Sequence, residues 1–279
     1  DKYLKKEHDM KLLTLIDKKV NNNIELTLDE LKFLYEIDSK IEGFGYEKDP
    51  RINEIKNKRN IKKDCALIFD VKEEEVALSQ EEWEENQNKF KIFVSDLYLY
   101  GLTSADGLVL PQSVVGNLFL DNLTSAEGLV LPQNIGGNLD LRSLDSAVGL
   151  VLPQNIGGDL YLYSLASAEG LVLPQSIGGD LYLNGLTSAK GLILPQSIVG
   201  NLFLDNLTSA EGLVLPQNVG GNLDLWYLTS AEGLILPYGF DLDKLECSSY
   251  IKNEILQNPD KYFRKPPSEE ENISVHHKR

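Results

Sequence analysis

The chain has 279 residues, of which 42% are hydrophobic, and a formal net charge of −16 at pH 7. That apolar content is ample for a buried core, while no stretch approaches the roughly 18 uninterrupted apolar residues of a membrane helix. An acidic surface repels phosphate groups, so the composition argues against nucleic-acid binding as well as membrane insertion.

The sequence gives little indication of the cellular compartment or of redox chemistry. The start Asp1-Lys2-Tyr3 has no signal-peptide core behind it, so localisation stays open, with the cytoplasm as the default. Two cysteines, Cys65 and Cys247, lie in different segments and make no metal or redox spacing. This cysteine usage excludes a disulfide scaffold.

Residues 1–95 are predicted to form an α-helical amino-terminal cap domain. A first helix is expected over residues 3–18. Thr27-Leu28-Asp29-Glu30 has the form of a capping box, and the helix that follows it should end near Gly43 and Gly45.

The second half of this segment leads into the next domain. A helix should begin at Asp49-Pro50, and Ser79-Gln80-Glu81-Glu82 is a further capping box before Trp83. Phe90, Ile92 and Val94 then alternate along the chain. We expect these three residues to cap the open end of the domain that follows.

A strict internal repeat occupies residues 96–243. Seven prolines lie 21 residues apart, namely Pro111, Pro132, Pro153, Pro174, Pro195, Pro216 and Pro237. A unit of this length cannot bury its apolar side alone, so the copies should stack into one leucine-rich solenoid of seven coils. The positions of each coil are numbered 1 to 21 from Leu97 onward.

Each coil contains two segments of alternating apolar residues, Leu118-Phe119-Leu120 and Leu129-Val130-Leu131 in the second coil. Alternation predicts strands at positions 1–3 and 12–14. Leucine at positions 1, 3, 6, 12 and 14, with Ile or Val at 18, should stack inward. Glycine at positions 11 and 20 should take positive φ, and serine at position 8 should satisfy corner backbone groups. The fold class is therefore α+β, a helical domain followed by a right-handed parallel β-solenoid.

The run I-G-G-[ND]-L-x-L-x-x-L-T-S-A-x-G-L resembles the repeat of receptor L-domains and related leucine-rich solenoids. The L-P-Q step resembles the short repeats of bacterial leucine-rich effectors. These resemblances span half of the chain and imply recognition of another molecule by a surface of the coil, without chemistry of its own. Ordinary leucine-rich repeats carry Asn in L-x-L-x-x-N, whereas every coil here has Leu at position 6. That departure removes the asparagine ladder and favours a straight β-helix over a curved horseshoe.

Outward residues at positions 2 and 4 are rich in aromatic and acidic side chains. The predicted partner-binding residues are Tyr98, Tyr100, Phe119, Tyr161, Tyr163, Tyr182, Phe203, Trp226 and Tyr227. Rigid aromatic rings are typical of protein and sugar contact surfaces. Alternatively, rings on neighbouring strands stack only to stabilise the sheet. A block of four coils, 84 residues long, is duplicated, so a long or repetitive partner suits this face better than a small molecule.

Position 13 supplies a second outward column, here called the valine stripe: Val109, Val130, Val151, Val172, Ile193, Val214 and Ile235. Stacked β-branched side chains make an apolar surface that monomers tend to bury. We expect the stripe to be covered by a second copy of the chain or by the helical segment. The alternative is that these residues serve strand propensity alone.

No enzyme, cofactor or metal site is predicted. The histidines, His8, His276 and His277, lie near the chain ends, so a histidine-based triad or zinc site inside the solenoid is excluded. Single acids at position 10 belong to separate coils and suit solvated corners better than a calcium site. Cys65 lies in an apolar run and is expected to be a buried, inert thiol.

Residues 244–265 are predicted to form a carboxy-terminal helical cap, with a helix after Ser248 or Ser249 that ends before Pro259, and residues 266–279 a flexible tail. The expected function is non-enzymatic binding of a protein, a basic one by charge, or of a repetitive glycan. The alternatives are a structural spacer without ligand and a fragment of a bacterial leucine-rich effector acting on a host protein.

Overall fold

The structure is a computed structural model that describes residues 2–43 and 48–265. A helical amino-terminal region leads into a parallel β-helix of seven coils, which short carboxy-terminal helices close, as predicted. The α-helices are α1 Lys2–Asn21, α2 Leu28–Leu34, α3 Arg51–Asn57, α4 Ile61–Phe69, α5 Gln80–Glu85, α6 Ser249–Gln257 and α7 Pro259–Tyr262. Short 3-10 turns cover Glu73–Glu75, Gln87–Lys89 and Leu242–Lys244.

Local sequence signals fix the helix starts. Thr27 and Glu30 form the predicted capping box of α2, but this helix ends at Leu34, well before the predicted end at Gly43. Ser79 caps α5, but the Glu82 carboxylate accepts from the Leu78 amide rather than from Ser79. Pro50 is the cap of α3, so this helix begins at Arg51, one residue after the predicted start. Within the described residues no helix is long and apolar enough to cross a membrane, and Gly45 and the tail from 266 lie outside them.

Two parallel sheets run the length of the solenoid. The strands are β1 Val76–Ala77, β2 Ile92–Phe93, β3 Leu97–Tyr98, β4 Ser113–Val114, β5 Leu118–Phe119, β6 Asn134–Ile135, β7 Leu139–Asp140, β8 Asn155–Ile156, β9 Leu160–Tyr161, β10 Ser176–Ile177, β11 Leu181–Tyr182, β12 Ser197–Ile198, β13 Leu202–Phe203, β14 Asn218–Val219, β15 Leu223–Asp224 and β16 Leu245–Glu246. The first sheet has the order β1-β2-β4-β6-β8-β10-β12-β14, and the second β16-β15-β13-β11-β9-β7-β5-β3. Both sheets pair in register from coil to coil, so equal positions stack directly on one another.

In the first six coils the second strand lies at positions 17–18, so the prediction of a strand at 12–14 was wrong. In the second coil the strand is Asn134–Ile135. The Leu129 amide donates to the Ala126 carbonyl at 3.1 Å in the corner, and Pro132 has no N–H. Among the described residues, the amides of Val130 and Leu131 make no backbone hydrogen bond to a neighbouring coil, although Leu129 is buried and Val130 exposed as the alternation required.

Leucines fill the interior as predicted. In the fourth coil Leu160, Leu162 and Leu165 are fully buried, and Leu171 nearly so. Alanine at position 9, exemplified by Ala168, is a further interior column that the repeat analysis missed. A small side chain fits there because the corner turns tightly beside it.

A ladder of Asn and Asp at position 21 was also missed. The side-chain Oδ1 of each accepts from the backbone amide of position 21 in the next coil, at 2.6–2.8 Å, in Asp96, Asn117, Asn138, Asp159, Asp180 and Asn201. A Cβ at Gly179 would lie 2.1 Å from Oδ1 of Asp159. Glycine at position 20 therefore makes room for the ladder, and the prediction of positive φ there was wrong.

The other corner predictions are confirmed. Glycines at position 11 have φ between +73° and +83°. Serine at position 8 accepts from the amide two residues later in every coil, for example Ser167 from Glu169 at 3.1 Å. Corner geometry therefore comes from glycine and serine together.

Both ends of the solenoid are closed. Trp83, Phe90 and Phe93 are buried in the solenoid core, whereas Ile92 and Val94 pack in the helical core, so only Phe90 of the predicted trio faces the first coil. At the other end Ile251 and Ile255 of α6, capped by Ser248 as expected, pack on the same core.

Candidate partner-binding face

The outward side chains at positions 2 and 4 beside the second sheet form what we call the aromatic face. Tyr98, Tyr100 and Phe119 make its first cluster. The rings of Tyr98 and Phe119 are stacked, with centroids 4.9 Å apart and an interplanar angle of 2°. Tyr100 tilts against Tyr98 at 5.3 Å.

Four rings on three successive coils make the second cluster. Tyr161 and Tyr182 stack at 4.7 Å, and Tyr182 and Phe203 at 4.4 Å. Tyr163 lies 5.1 Å from Tyr182, centroid to centroid. In-register pairing holds these rings at the coil spacing, which suits ring stacking.

Each tyrosine of position 2 is anchored by the aspartate two residues before it. The hydroxyl groups of Tyr161 and Tyr182 donate to Asp159 at 2.8 Å and to Asp180 at 3.1 Å. Burial, followed by these carboxylates, raises the pKa of both hydroxyl groups, so both tyrosines stay protonated donors. Where position 2 is Phe or Asp, position 21 is Asn instead, because no hydroxyl needs an acceptor there.

An ion pair between the exposed Arg142 side chain and the buried Asp140 carboxylate separates the two clusters. Asp140 is 0% exposed, and the Arg142 Nε lies 3.0 Å from both of its carboxylate oxygens. Hydrogen bonding to Asp140 raises the pKa of the Arg142 guanidinium, whose central carbon lies 5.8 Å from the Tyr161 ring centroid. The predicted site residues are thus not one continuous stack.

Trp226 and Tyr227 stand apart at the last coil. Both side chains are exposed, at 59% and 58%. Within the described residues neither makes a ring contact with the two clusters. The structure therefore divides the nine predicted residues into two clusters and one exposed pair.

The valine stripe is solvent-exposed along its whole length, from 39% at Val109 to 77% at Ile193. The helical segment does not cover it, so that half of the expectation was wrong. Instead, the apolar residues of α1 to α4 bury one another in a core of their own, around Leu13 and Ile52. Self-association through the stripe stays a prediction.

Over 2–43 and 48–265 no group of three His, Cys, Asp or Glu side chains is placed to hold a metal ion. Cys65 is fully buried, and burial, with Asp64, raises the pKa of its thiol to about 12. Asp64 in turn is held by Arg59 and Tyr35, at 2.7 and 3.1 Å, which explains its burial structurally.

No protein-family model, curated protein or solved structure matches the chain. What it binds is therefore inferred from its own side chains. The aromatic face is the surface that combines exposed rings with charged side chains.

Proposed function

We propose that the chain is a non-enzymatic binding module whose aromatic face recognises a protein, with a repetitive glycan as the second ligand class. The exposed rings of Tyr100, Trp226 and Tyr227 carry this proposal. A ring that only stabilises a sheet is expected to pack against a neighbour, but Trp226 and Tyr227 have no ring partner on this face. Exposed aromatic side chains of this kind dominate binding surfaces because they bring large contact area at low entropic cost.

The mechanism is multivalent contact along a rigid array. In-register coils repeat side chains about every 4.8 Å, so several weak contacts act together without an ordering cost for the face. Residues 97–243 contain 14 acidic and two basic side chains, which steers a basic partner toward the solenoid.

We also propose that the solenoid is a variant of the leucine-rich and receptor L-domain type. The interior leucine columns and the 21-residue period support this relationship. The Asn/Asp ladder at position 21 would then have the structural role that the asparagine ladder has in ordinary leucine-rich repeats.

One observation favours a second candidate, a spacer without ligand. Ring stacking at 4.4–4.7 Å already gives Tyr161, Tyr182 and Phe203 a structural role. Under this alternative, loss of the second cluster lowers stability only, because the face has no ligand.

The test is capture of partners from lysate and from cell-envelope material, identified by mass spectrometry. The baits are the intact chain, the variant Tyr161→Ser/Tyr163→Ser/Tyr182→Ser, and a matched control on the valine stripe, Val130→Ser/Val151→Ser/Val172→Ser. Thermal unfolding of each bait confirms that it is folded at the capture temperature.

A partner retained by the intact chain and the stripe control but lost with the tyrosine variant supports recognition by the aromatic face. A partner lost only with the stripe control would move the binding site to the valine stripe. If no bait retains a specific partner, the spacer alternative stands.

A further inference from the structure

The duplicated block places the third and seventh coils in equivalent positions, 84 residues apart, and both begin Asn-Leu-Asp-Leu. Their backbones match at the aromatic face. The Arg142 amide donates to Asp140 Oδ1 at 3.1 Å, and the Trp226 amide donates to Asp224 Oδ1 at 3.0 Å. Asp140 and Asp224 therefore occupy equivalent positions in two copies of one local structure.

In the third coil this carboxylate binds a guanidinium. Arg142 reaches Asp140 through Nε and Nη2, and its guanidinium also lies near the Tyr161 ring. The solenoid thus shows which chemistry a position-2 aspartate of this face accepts, a planar cation held by charge and by hydrogen bonds.

In the seventh coil the described residues provide no such cation. Trp226 replaces the arginine, and within the described residues no basic side chain pairs with Asp224, Asp205 or Glu246. Glu246 is the in-register neighbour of Asp224, and Asp205 lies one coil before it. Burial, with these two carboxylates, raises the pKa of Asp224, as expected for acids that lack a counter-charge.

The surroundings select an organic cation over a metal ion. The three carboxylates do not converge as a metal-binding group in the described part of the chain. The Trp226 side chain, two residues after Asp224, is 59% exposed, and indole is the best aromatic partner for a cation. A guanidinium can use both features, because its edge donates hydrogen bonds to a carboxylate and its face stacks on an aromatic ring.

We propose that Asp205, Asp224, Glu246 and Trp226 form a site for an arginine side chain of a partner protein. The inference rests on the proposed function and deepens it, since it places a basic residue of the partner at the carboxy-terminal end of the aromatic face. The partner's arginine takes the place that Arg142 fills within the third coil.

The probe is an acetylated and amidated Gly-Arg-Gly-Arg-Gly peptide, titrated into the full-length chain by calorimetry. We expect saturable binding that weakens as salt is added. Trp226→Arg should weaken it about tenfold or more, because the new guanidinium occupies Asp224 as Arg142 occupies Asp140. Asp224→Asn, which preserves shape, should cause a comparable loss.

Two controls make the result specific. The same peptide with citrulline in place of arginine should not bind, since it keeps the shape and loses the charge. The reciprocal variant Arg142→Trp should gain a second peptide site at Asp140. Equal binding of both peptides, unchanged binding by Trp226→Arg, or no binding by the intact chain would overturn the proposal, and calcium binding in place of peptide would do the same.

Failure of this site is distinguishable from failure of the proposed function. A captured partner that depends on the tyrosine cluster but binds Trp226→Arg with undiminished affinity leaves the function and removes the arginine site. Peptide binding without any captured partner keeps the site and removes the function.

Discussion

The ladder at position 21 makes a sharp prediction about stability at Asp180. Its Oδ1 accepts from the Asn201 amide at 2.7 Å, while its Oδ2 accepts from the Tyr182 hydroxyl at 3.1 Å and from the Asn201 side-chain amide at 3.2 Å. Asp180→Ala removes all three bonds and leaves a half-buried backbone amide without an acceptor. Asp180→Asn keeps the Oδ1 acceptor and therefore keeps the ladder.

The magnitudes follow from these contacts. A hydrogen bond to a charged acceptor contributes about 1.5–3 kcal/mol, so Asp180→Ala should lower the free energy of unfolding by about 2–3 kcal/mol. Asp180→Asn should cost about 1 kcal/mol, because it keeps the Oδ1 acceptor and affects only the two contacts of Oδ2, from the Tyr182 hydroxyl and the Asn201 side-chain amide. The double variant Asp180→Asn/Tyr182→Phe reproduces the native Asn201-Leu202-Phe203 and should lie within about 0.5 kcal/mol of the parent.

Equilibrium urea unfolding, followed by far-UV circular dichroism, measures all four proteins under one condition. The order expected is parent and double variant together, then Asp180→Asn, then Asp180→Ala well below. Equal destabilisation by Asn and Ala at this position would refute the ladder as a stabilising element, because the two differ in the Oδ1 acceptor.

Three further predictions concern the core, pH and thiols. Leu183→Ala in the interior should lower the free energy of unfolding by about 2–5 kcal/mol, whereas Ile193→Ala at an exposed position should change it by no more than about 0.5 kcal/mol. Urea unfolding compares the two variants, and similar losses would contradict the core assignment. Burial and neighbouring carboxylates raise the pKa of Asp224, so its contribution to stability is present below its unfolded pKa and is lost as pH rises through the folded pKa. Asp224→Asn should therefore raise the Tm at neutral pH and leave it unchanged in strong acid, and a lower Tm at neutral pH would count against this. A thiol-reactive probe should label Cys65 only after denaturant is added, because burial raises its pKa to about 12, and rapid labelling of the folded chain would show an accessible thiol.

Sequence periodicity predicted the solenoid because its proline spacing and leucine columns are dictated by stacking alone. It failed at residues 129–131, where apolar alternation resembles a strand, but the Leu129 amide bonds within the corner and, in the described part of the chain, the amides of Val130 and Leu131 bond to no neighbouring coil. Alternation of side chains therefore did not locate the second strand.

The Asn/Asp ladder at position 21 does have a signal in the sequence. Aspartate stands two residues before each position-2 tyrosine, as in Asp159-Leu160-Tyr161, whereas asparagine precedes phenylalanine and aspartate. That covariation indicates a tyrosine hydroxyl bonded to a carboxylate. The gap between the two clusters was readable too, because the third coil carries Asp140 and Arg142 instead of aromatic residues at positions 2 and 4. Only the ion pair between these two residues required the structure, because it depends on the conformation of the Arg142 side chain.

Hydroxyl-radical footprinting tests recognition by the aromatic face most directly, because aromatic side chains are the reporters themselves. The chain is oxidised alone and with its captured partner, and modification is read residue by residue. We predict protection of Tyr100, Tyr163 and Trp226, with Tyr250, an exposed tyrosine on α6, unchanged as the internal control. Unaltered oxidation of the face, with protection confined to Tyr250 or to the valine stripe, would contradict the account.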